Sequence, residues 1–531
     1  MSTAVENPPA EQWRRMSHGE QLARAARRFP DRIAVRCGDR SVTYRVLDQR
    51  VTRVAHGLRG LGITAGSRVA ILMRNTIEVA EIFYACARIG AIAVPVNHRL
   101  VADEVGYILR DSGAGTLVGE GTLGDVAIAS AQLAGISPVV LTSPAEAGEN
   151  VLRYEDLVAS SPDEPLAVDV PDGSPMAIMY TSGTTGSPKG AVIPHSAMTL
   201  QSLARAHIQQ LVPGEEVWLS GLQLFHVGGL NALVLSILLG GQVIMLAPRT
   251  RPAEIVDLLE RHRVTTCSLV PTQWQEVCAP EHIEHRSFHL RSISWGTAPA
   301  GPDLLRRLDE VFGQTRIFNI FGQTETSGTA CTLTGDEARN NRGSVGRPVL
   351  NVEVRIVDEE MRDVPAGDIG EIVYRGPTIM TGYWNKTRET AEAFAGGWFH
   401  SGDLARMDSA GLLWIVDRKK DLIISGGENI YPAELERVIG SHPKVSEVAV
   451  VGTPHERWGE SPLAVVVPAD PLAPPTESEI IEHCREKLAS YKKPGAVVIT
   501  AALPRNATGK VQKFRLREIH RSKGEQGERT R

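Results

Sequence analysis

Residues 180 to 192 read Tyr-Thr-Ser-Gly-Thr-Thr-Gly-Ser-Pro-Lys-Gly-Ala-Val, a run of hydroxyls and glycines that closes on one lysine. Gly183 and Gly186 let the backbone turn its N–H groups inward, Thr181, Ser182, Thr184 and Thr185 add hydroxyl donors, and Lys189 supplies a compact cation. Such a loop can wrap a polyphosphate, so the chain is expected to use a nucleotide. It is not the Walker loop, because Lys189 is followed by Gly190 and Ala191 rather than by a serine or threonine. A flexible linker has similar composition, but linkers rarely sit between two apolar runs, here Met176 to Met179 and Ala191 to Ile193.

Other residues offer matching chemistry further along. Phe321, Gly322, Gln323, Thr324 and Glu325 put an aromatic face, a hydroxyl and a carboxylate in one short turn, able to stack on a base, hold a phosphate and ligate Mg2+. Asp403, in Ser401-Gly-Asp403, and Arg418 suit a ribose, and Gly509-Lys510 supplies a second lysine on a loop. Taken singly, Glu325 and Asp403 read as surface carboxylates, and Gly426-Gly427 as an ordinary turn. His226, taken alone beside an apolar run, reads more often as a satisfied structural histidine.

The elements needed to hold these groups are visible in the periodicity. Leu47, Val51, Val54, Leu58 and Leu61 recur at helical spacing before an apolar strand at Arg68 to Met73, and a helix and strand follow over 78 to 96. The alternation returns at Val243 to Leu246, Ala253 to Leu259, Thr265 to Leu269 and Ser292 to Ser294. This predicts an α/β fold with parallel sheets, whose ligands bind beyond strand C-termini. Over 350 to 416 short alternating strands predict a small antiparallel, barrel-like subdomain. Beyond Asp421 a helix opened by Pro432, strands at 447–451 and 463–467, and a helix with a Thr476–Glu479 capping box and Ile481, Cys484 and Leu488 on one side predict a separate α+β domain. The charged tail from Arg517 is expected to fray.

Composition narrows the class. The chain has 531 residues, with 57 basic against 62 acidic ones, giving a net charge of -5 and no basic stripe for nucleic acid. Its six cysteines are scattered, without a Cys-x-x-Cys pair, which predicts buried thiols in a reducing, cytoplasmic setting. The N-terminal residues show no signal peptide, and Val227 to Leu246, broken by Gly240-Gly241, reads as a buried helix and strand rather than a membrane span.

With these motifs in this order, the chain resembles the acyl- and aryl-CoA synthetase branch of the adenylate-forming superfamily. The resemblance runs from Tyr44 to about Leu516 and rests on the phosphate loop, Leu224-Phe-His226, Gly296-Thr-Ala-Pro299, Phe321 to Glu325, Ser401-Gly-Asp403 with Arg418 and Ser425-Gly-Gly-Glu-Asn429, and Pro504-Arg-Asn-Ala-Thr-Gly-Lys510. It departs from the family's usual letters at Phe321 (Tyr), Ser401 (Thr) and Thr297 (Gly).

The resemblance implies two steps with ATP, Mg2+ and coenzyme A: a carboxylate attacks the α-phosphate to give an acyl adenylate and pyrophosphate, then a thiol displaces AMP. It implies that Thr181 to Lys189 hold the β and γ phosphates, that Thr324 and Glu325 handle the α-phosphate and metal, and that Gly296, Thr297, Ala298, Pro299 and Phe321 to Gln323 border adenine. Asp403 and Arg418 would hold ribose, His226 the acid, and Lys510 the charge of the forming adenylate. It further implies an N-terminal domain over 1–419 and a mobile C-terminal domain over 420–531. A hinge at Lys420 would exchange the Lys510 loop for the Gly426-Gly427 loop, which would pass a pantetheine arm. The expected substrate is a medium- or long-chain fatty acid or an aryl acid, and a homodimer is the default assembly. An adenylating enzyme that loads a separate carrier protein is the alternative; the absence of an aspartate after Phe225-His226 and of a carrier segment after Lys510 argues against the amino-acid version. A non-catalytic acyl-nucleotide binder is a third reading, weakened by intact Lys189, Glu325, Asp403, Arg418 and Lys510.

Overall fold

A computed structural model describes residues 14–143, 150–181, 188–247, 250–296, 298, 300–341, 343–505 and 511–527. The chain divides into two compact units, Met1–Val354 with Tyr374–Phe399, and Arg355–Val373 with His400–Arg531.

The first unit is built on two large sheets. In the eight-stranded sheet, Arg68–Leu72, Ile92–Val96, Thr116–Gly119, Val139–Leu141 and Val151–Arg153 run parallel to their neighbours. Beyond Ile92–Val96 the sheet continues through Pro175–Thr181, antiparallel Lys189–Pro194 and the two-residue strand Gly382–Tyr383. Ile92–Val96 is buried at every position, as expected of a parallel strand with both faces covered. The nine-stranded sheet is parallel across Ile33–Cys37, Gln242–Met245, Val217–Ser220, Thr266–Ser268, Ser292–Gly296 and Arg316–Phe321, with antiparallel strands at both edges.

Local sequence accounts for the helices between them. Tyr44–Gly60 starts where the Thr43 hydroxyl accepts the Val46 N–H, a cap contributing about 1 kcal/mol, and buries Leu47, Val51, Val54 and Leu58 on one face. Val227–Leu239 is largely apolar and almost wholly buried. It stops at Gly240, which takes φ +67°; a Cβ there would lie 2.1 Å from the Phe29 ring. Among the described residues no helix is long and apolar enough to cross a membrane.

The second unit holds most of a four-stranded sheet in the order Glu353–Val357, Ile369–Arg375, Phe399–Met407, Leu413–Arg418, and a five-stranded sheet around the long hairpin Val445–His455 and Gly459–Pro468. The helix opened by Pro432 spans Pro432–Gly440. The capping box begins its helix at Glu477, and this phase buries Ile480 with Cys484; Ile481, expected on that stripe, sits at its flank. The tail expected to fray is instead helical over Lys513–Gly527. Buried Leu516 anchors it, and Arg517 Nη2 lies 2.6 Å from Asp421 Oδ1.

Candidate functional site

Pro175–Thr181 and Lys189–Pro194 form the two arms of a hairpin registered at Thr181 and Lys189, so the glycine- and hydroxyl-rich run is carried between paired strand ends. Ser182, Gly183, Thr184, Thr185 and Gly186 lie outside the described residues. At the hairpin's mouth the Thr181 hydroxyl donates to the Lys189 carbonyl at 3.4 Å, and Lys189 Nζ stands 5.2 Å from the centre of the Tyr383 ring. Among the described residues no carboxylate pairs with Lys189.

The strand Arg316–Phe321 leads into the 3-10 turn Thr324–Thr326. Thr326 Oγ1 accepts the Gln323 N–H at 3.0 Å and closes the turn. Gly322 is required there, since a Cβ would meet the Gly328 carbonyl at 2.6 Å. Glu325 is buried; one carboxylate oxygen accepts the Tyr383 phenol at 3.0 Å, and its backbone carbonyl accepts the Met380 N–H at 2.8 Å. Among the described residues no basic side chain pairs with it. A buried carboxylate engaged on one oxygen by a neutral donor fits a hard divalent cation on the other. Gly296 and Phe321 end neighbouring parallel strands, at the rim where such sheets bind ligands. Ala298 is exposed beside them, while Thr297 and Pro299 lie outside the described residues.

His226 precedes the helix Val227–Leu239 and packs its ring 4.3 Å from that of Phe225, which in turn meets His98 edge to face at 5.3 Å. The imidazole is accessible to solvent. Desolvation by the protein packed near it, followed by the charges of Arg99 and His98, pushes it down to about 4, so it is neutral at pH 7. The head of this helix adjoins the turn after Glu325: Asn231 Nδ2 donates to the Ser327 carbonyl at 3.4 Å, and a Cβ on Gly328 would lie 3.5 Å from Val227.

In the second unit, Asp403 and Arg418 face each other across antiparallel strands, with Arg418 Nε 2.5 Å from the buried Asp403 carboxylate. Glu371 organises the backbone around them. One of its oxygens accepts the Gly402 N–H at 3.1 Å, and the other lies 3.1 Å from Lys419 Nζ and 3.2 Å from His400 Nδ1. Burial would raise the Glu371 carboxyl, but the His400 and Lys419 contacts outweigh it and hold the group below its ordinary value. Lys420 occupies the 3-10 turn Lys419–Asp421. Gly426 and Gly427, at φ +60° and +86°, form the two-residue turn of a hairpin, where only glycine is unstrained at both places. Exposed Trp458 covers Gly426, whose N–H donates to the Trp458 carbonyl at 2.8 Å. Lys510 lies outside the described residues; Arg505 and Val511, on either side of its segment, form an antiparallel bridge.

Sequence reading passed over Tyr383, Glu371 and Trp458. A Gly-Tyr-Trp triplet, a glutamate in a strand and a tryptophan in a turn carry no chemical signal until their partners are known.

Residues 22–384 match the family described as AMP-binding enzyme, and residues 434–510 match the AMP-binding enzyme C-terminal domain. The chain is 35% identical to an indoleacetate–CoA ligase of Aromatoleum aromaticum over 95% of its own length and 98% of that protein's. It is 37% identical to a feruloyl-CoA synthase of Amycolatopsis sp, covering 94% and 98%. The o-succinylbenzoate CoA synthetase of Bacillus subtilis, solved with its acyl-adenylate intermediate, superposes with a TM-score of 0.82 at 31% identity, over 93% of this chain and 97% of that one. The same synthetase, solved with ATP and magnesium ion, aligns with an equal score, covering 93% and 98%. Matched by family over most of its length and by relatives from end to end, the chain belongs to the AMP-binding enzymes.

Proposed function

We propose that this AMP-forming acid–CoA ligase takes an aryl carboxylic acid, activates it with ATP as an acyl adenylate, and transfers the acyl group to coenzyme A. The observation that carries the aryl reading is the cluster of rings formed by His98, Phe225 and neutral His226, at the head of a helix that adjoins the turn after Glu325. Aromatic side chains favour a planar ring over a flexible alkyl chain through edge-to-face and offset contacts. Relatives named for indoleacetate and ferulate support the same class.

In this reading Thr181, Lys189 and the loop between them hold the β and γ phosphates of ATP. Thr324 meets the α-phosphate, and Glu325 would hold Mg2+, which supplies charge neutralisation on the phosphates when bound. Gly296 to Pro299 and Phe321 to Gln323 border adenine, and Asp403 with Arg418 takes the ribose. The substrate carboxylate attacks the α-phosphorus as the bond to pyrophosphate breaks, and Lys510 stabilises the charge that develops. Neutral His226 offers a hydrogen bond to the acid rather than a counter-charge. The coenzyme A thiol then attacks the acyl carbon and AMP leaves, with the pantetheine arm running past Gly426 and Gly427. A hinge at Lys420, between domains at 1–419 and 420–531, exchanges the two catalytic loops. A cytoplasmic location fits the free thiols, and light scattering would test the expected homodimer.

A panel of indoleacetate, ferulate, benzoate, octanoate and palmitate, with ATP and Mg2+ and with or without coenzyme A, tests the reading by mass spectrometry of products. We expect aryl-CoA and AMP, with kcat/KM for the best aryl acid about tenfold or more above that for either alkyl acid. A preference for octanoate or palmitate overturns the aryl assignment, and adenylate that never passes to coenzyme A points to carrier loading.

A further inference from the structure

ATP activation of the kind proposed above needs a cation and a carboxylate close together that do not neutralise each other. Lys189 and Glu325 meet that need through a third residue. We propose that Tyr383 is a positioning residue for adenylate formation: its hydroxyl fixes one oxygen of Glu325 and its ring face steadies the Lys189 ammonium. This inference rests on the roles given to Lys189 and Glu325 in the preceding reading.

The geometry has two independent anchors. Gly382–Tyr383 pairs antiparallel with the Lys189 strand, Gly382 against Val192 and Tyr383 against Ala191, and the Trp384 N–H donates to the Gly190 carbonyl at 2.8 Å. On the other side the Met380 N–H donates to the Glu325 carbonyl at 2.8 Å, and the Ser327 hydroxyl donates to the Thr378 carbonyl at 2.7 Å. Residues 378–384 therefore strap the exit of the phosphate hairpin to the Thr324–Thr326 turn. Gly382 takes φ +150°, and a Cβ would lie 2.7 Å from Thr390 Cγ2, so the strap turns tightly before Tyr383. Thr390 Oγ1 accepts the Tyr383 N–H at 3.0 Å.

Tyrosine is the side chain suited to this place. A direct Lys189–Glu325 ion pair would have to break for each nucleotide bound, whereas a neutral donor leaves both charges available. A phenol is protonated at neutral pH and so serves as the donor in this contact. The ring offers the ammonium a cation–π contact without a counter-charge.

The test compares Tyr383→Phe, Tyr383→Leu and Glu325→Gln in each half-reaction. Adenylate formation is followed by pyrophosphate release against Mg2+ and ATP, and thioester formation from supplied acyl adenylate and coenzyme A, in which neither Mg2+ nor the β and γ phosphates take part. We expect Tyr383→Phe to raise the half-saturating Mg2+ concentration about tenfold with little change in KM for ATP at saturating Mg2+. Tyr383→Leu should add a rise of about fivefold in KM for ATP, while both variants keep thioester formation within about twofold of the parent. An unchanged Mg2+ requirement in Tyr383→Phe, or equal loss of both half-reactions, overturns the inference. If Glu325→Gln shifts the Mg2+ requirement and Tyr383→Phe does not, Tyr383 alone is misassigned. If Glu325→Gln leaves it unshifted, the role of Glu325 falls as well.

Discussion

The two charged clusters solve opposite problems. Around Asp403 charges are paired within the protein: Arg418 lies against Asp403, and Lys419 and His400 against Glu371. Around Glu325 the described residues offer a phenol to the carboxylate and a ring face to Lys189, and no ion pair to either. A paired cluster defines a shape, because each partner restricts the other and the ligand meets finished geometry. An unpaired cluster stores unmet charge in a buried place, which is costly to fold but becomes binding energy when a polyphosphate and its metal arrive. In the reading proposed above, the ribose would meet a preset contact and the phosphates one kept electrostatically incomplete.

The sharpest way to break this comparison is to remove charge that acts only during the reaction. Lys510→Ala should lower adenylate formation about a thousandfold while sparing thioester formation from supplied adenylate, and Lys420→Pro should do the reverse, both read in separate half-reaction assays. Equal losses in both steps would sink the hinge account. In the unpaired cluster, Lys189→Met should cut adenylate formation about a hundredfold without lowering the melting temperature, because no protein partner is left stranded.

The paired cluster should respond in stability as well as rate. Asp403→Asn strips Arg418 of its counter-charge and should cost about 2 kcal/mol in unfolding free energy by urea titration, together with a higher KM for ATP. Stability unchanged by Asp403→Asn, or lowered by Lys189→Met, would erase the distinction. Glu371 adds a pH signature. Its carboxyl is held below its ordinary value in the folded chain, so its contribution is present above that value and fades as pH falls through and below it. Glu371→Gln should therefore flatten the loss of stability below about pH 5.

The smallest effect expected is at His226. The imidazole is already neutral above about pH 4, so His226→Asn should lower kcat/KM for the acid about tenfold yet leave the pH profile between 6 and 9 unmoved. A profile displaced by the substitution would mean that His226 titrates during turnover.

Much of this was legible in the letters, for a physical reason. Helices such as Tyr44–Gly60 and Val227–Leu239 announce themselves because burial imposes a period, and the Gly426-Gly427 turn because two consecutive positive φ angles demand glycine. The phosphate hairpin, the Glu325 turn and the Asp403–Arg418 pair were readable because unusual residue types crowd into short segments. Tyr383 and Glu371 were not, since their importance lies in partners far along the chain, Tyr383 with Lys189 and Glu325, Glu371 with Gly402 and Lys419. The helical tail escaped for a related reason: its charges suggest solvation, whereas buried Leu516 and the reach of Lys513 to Glu436 and of Arg517 to Asp421 dock it.

The sheet orders carry a consequence for the life of the chain on the ribosome. Val35 pairs with Val243, so an early strand must wait for a late one before the nine-stranded sheet can close. The strap contact between Thr381 and Val192 bridges 189 residues. Long-range closures of this kind are slow and leave apolar strand edges exposed during synthesis. A nascent chain can complete the parallel core of the eight-stranded sheet well before Tyr383 emerges, but only then does the phenol reach Lys189 and Glu325. The chain therefore passes through a stage in which most of that sheet is in place while the contacts of Tyr383 with Lys189 and Glu325 are still unformed, and these arrive with the last strand of that sheet.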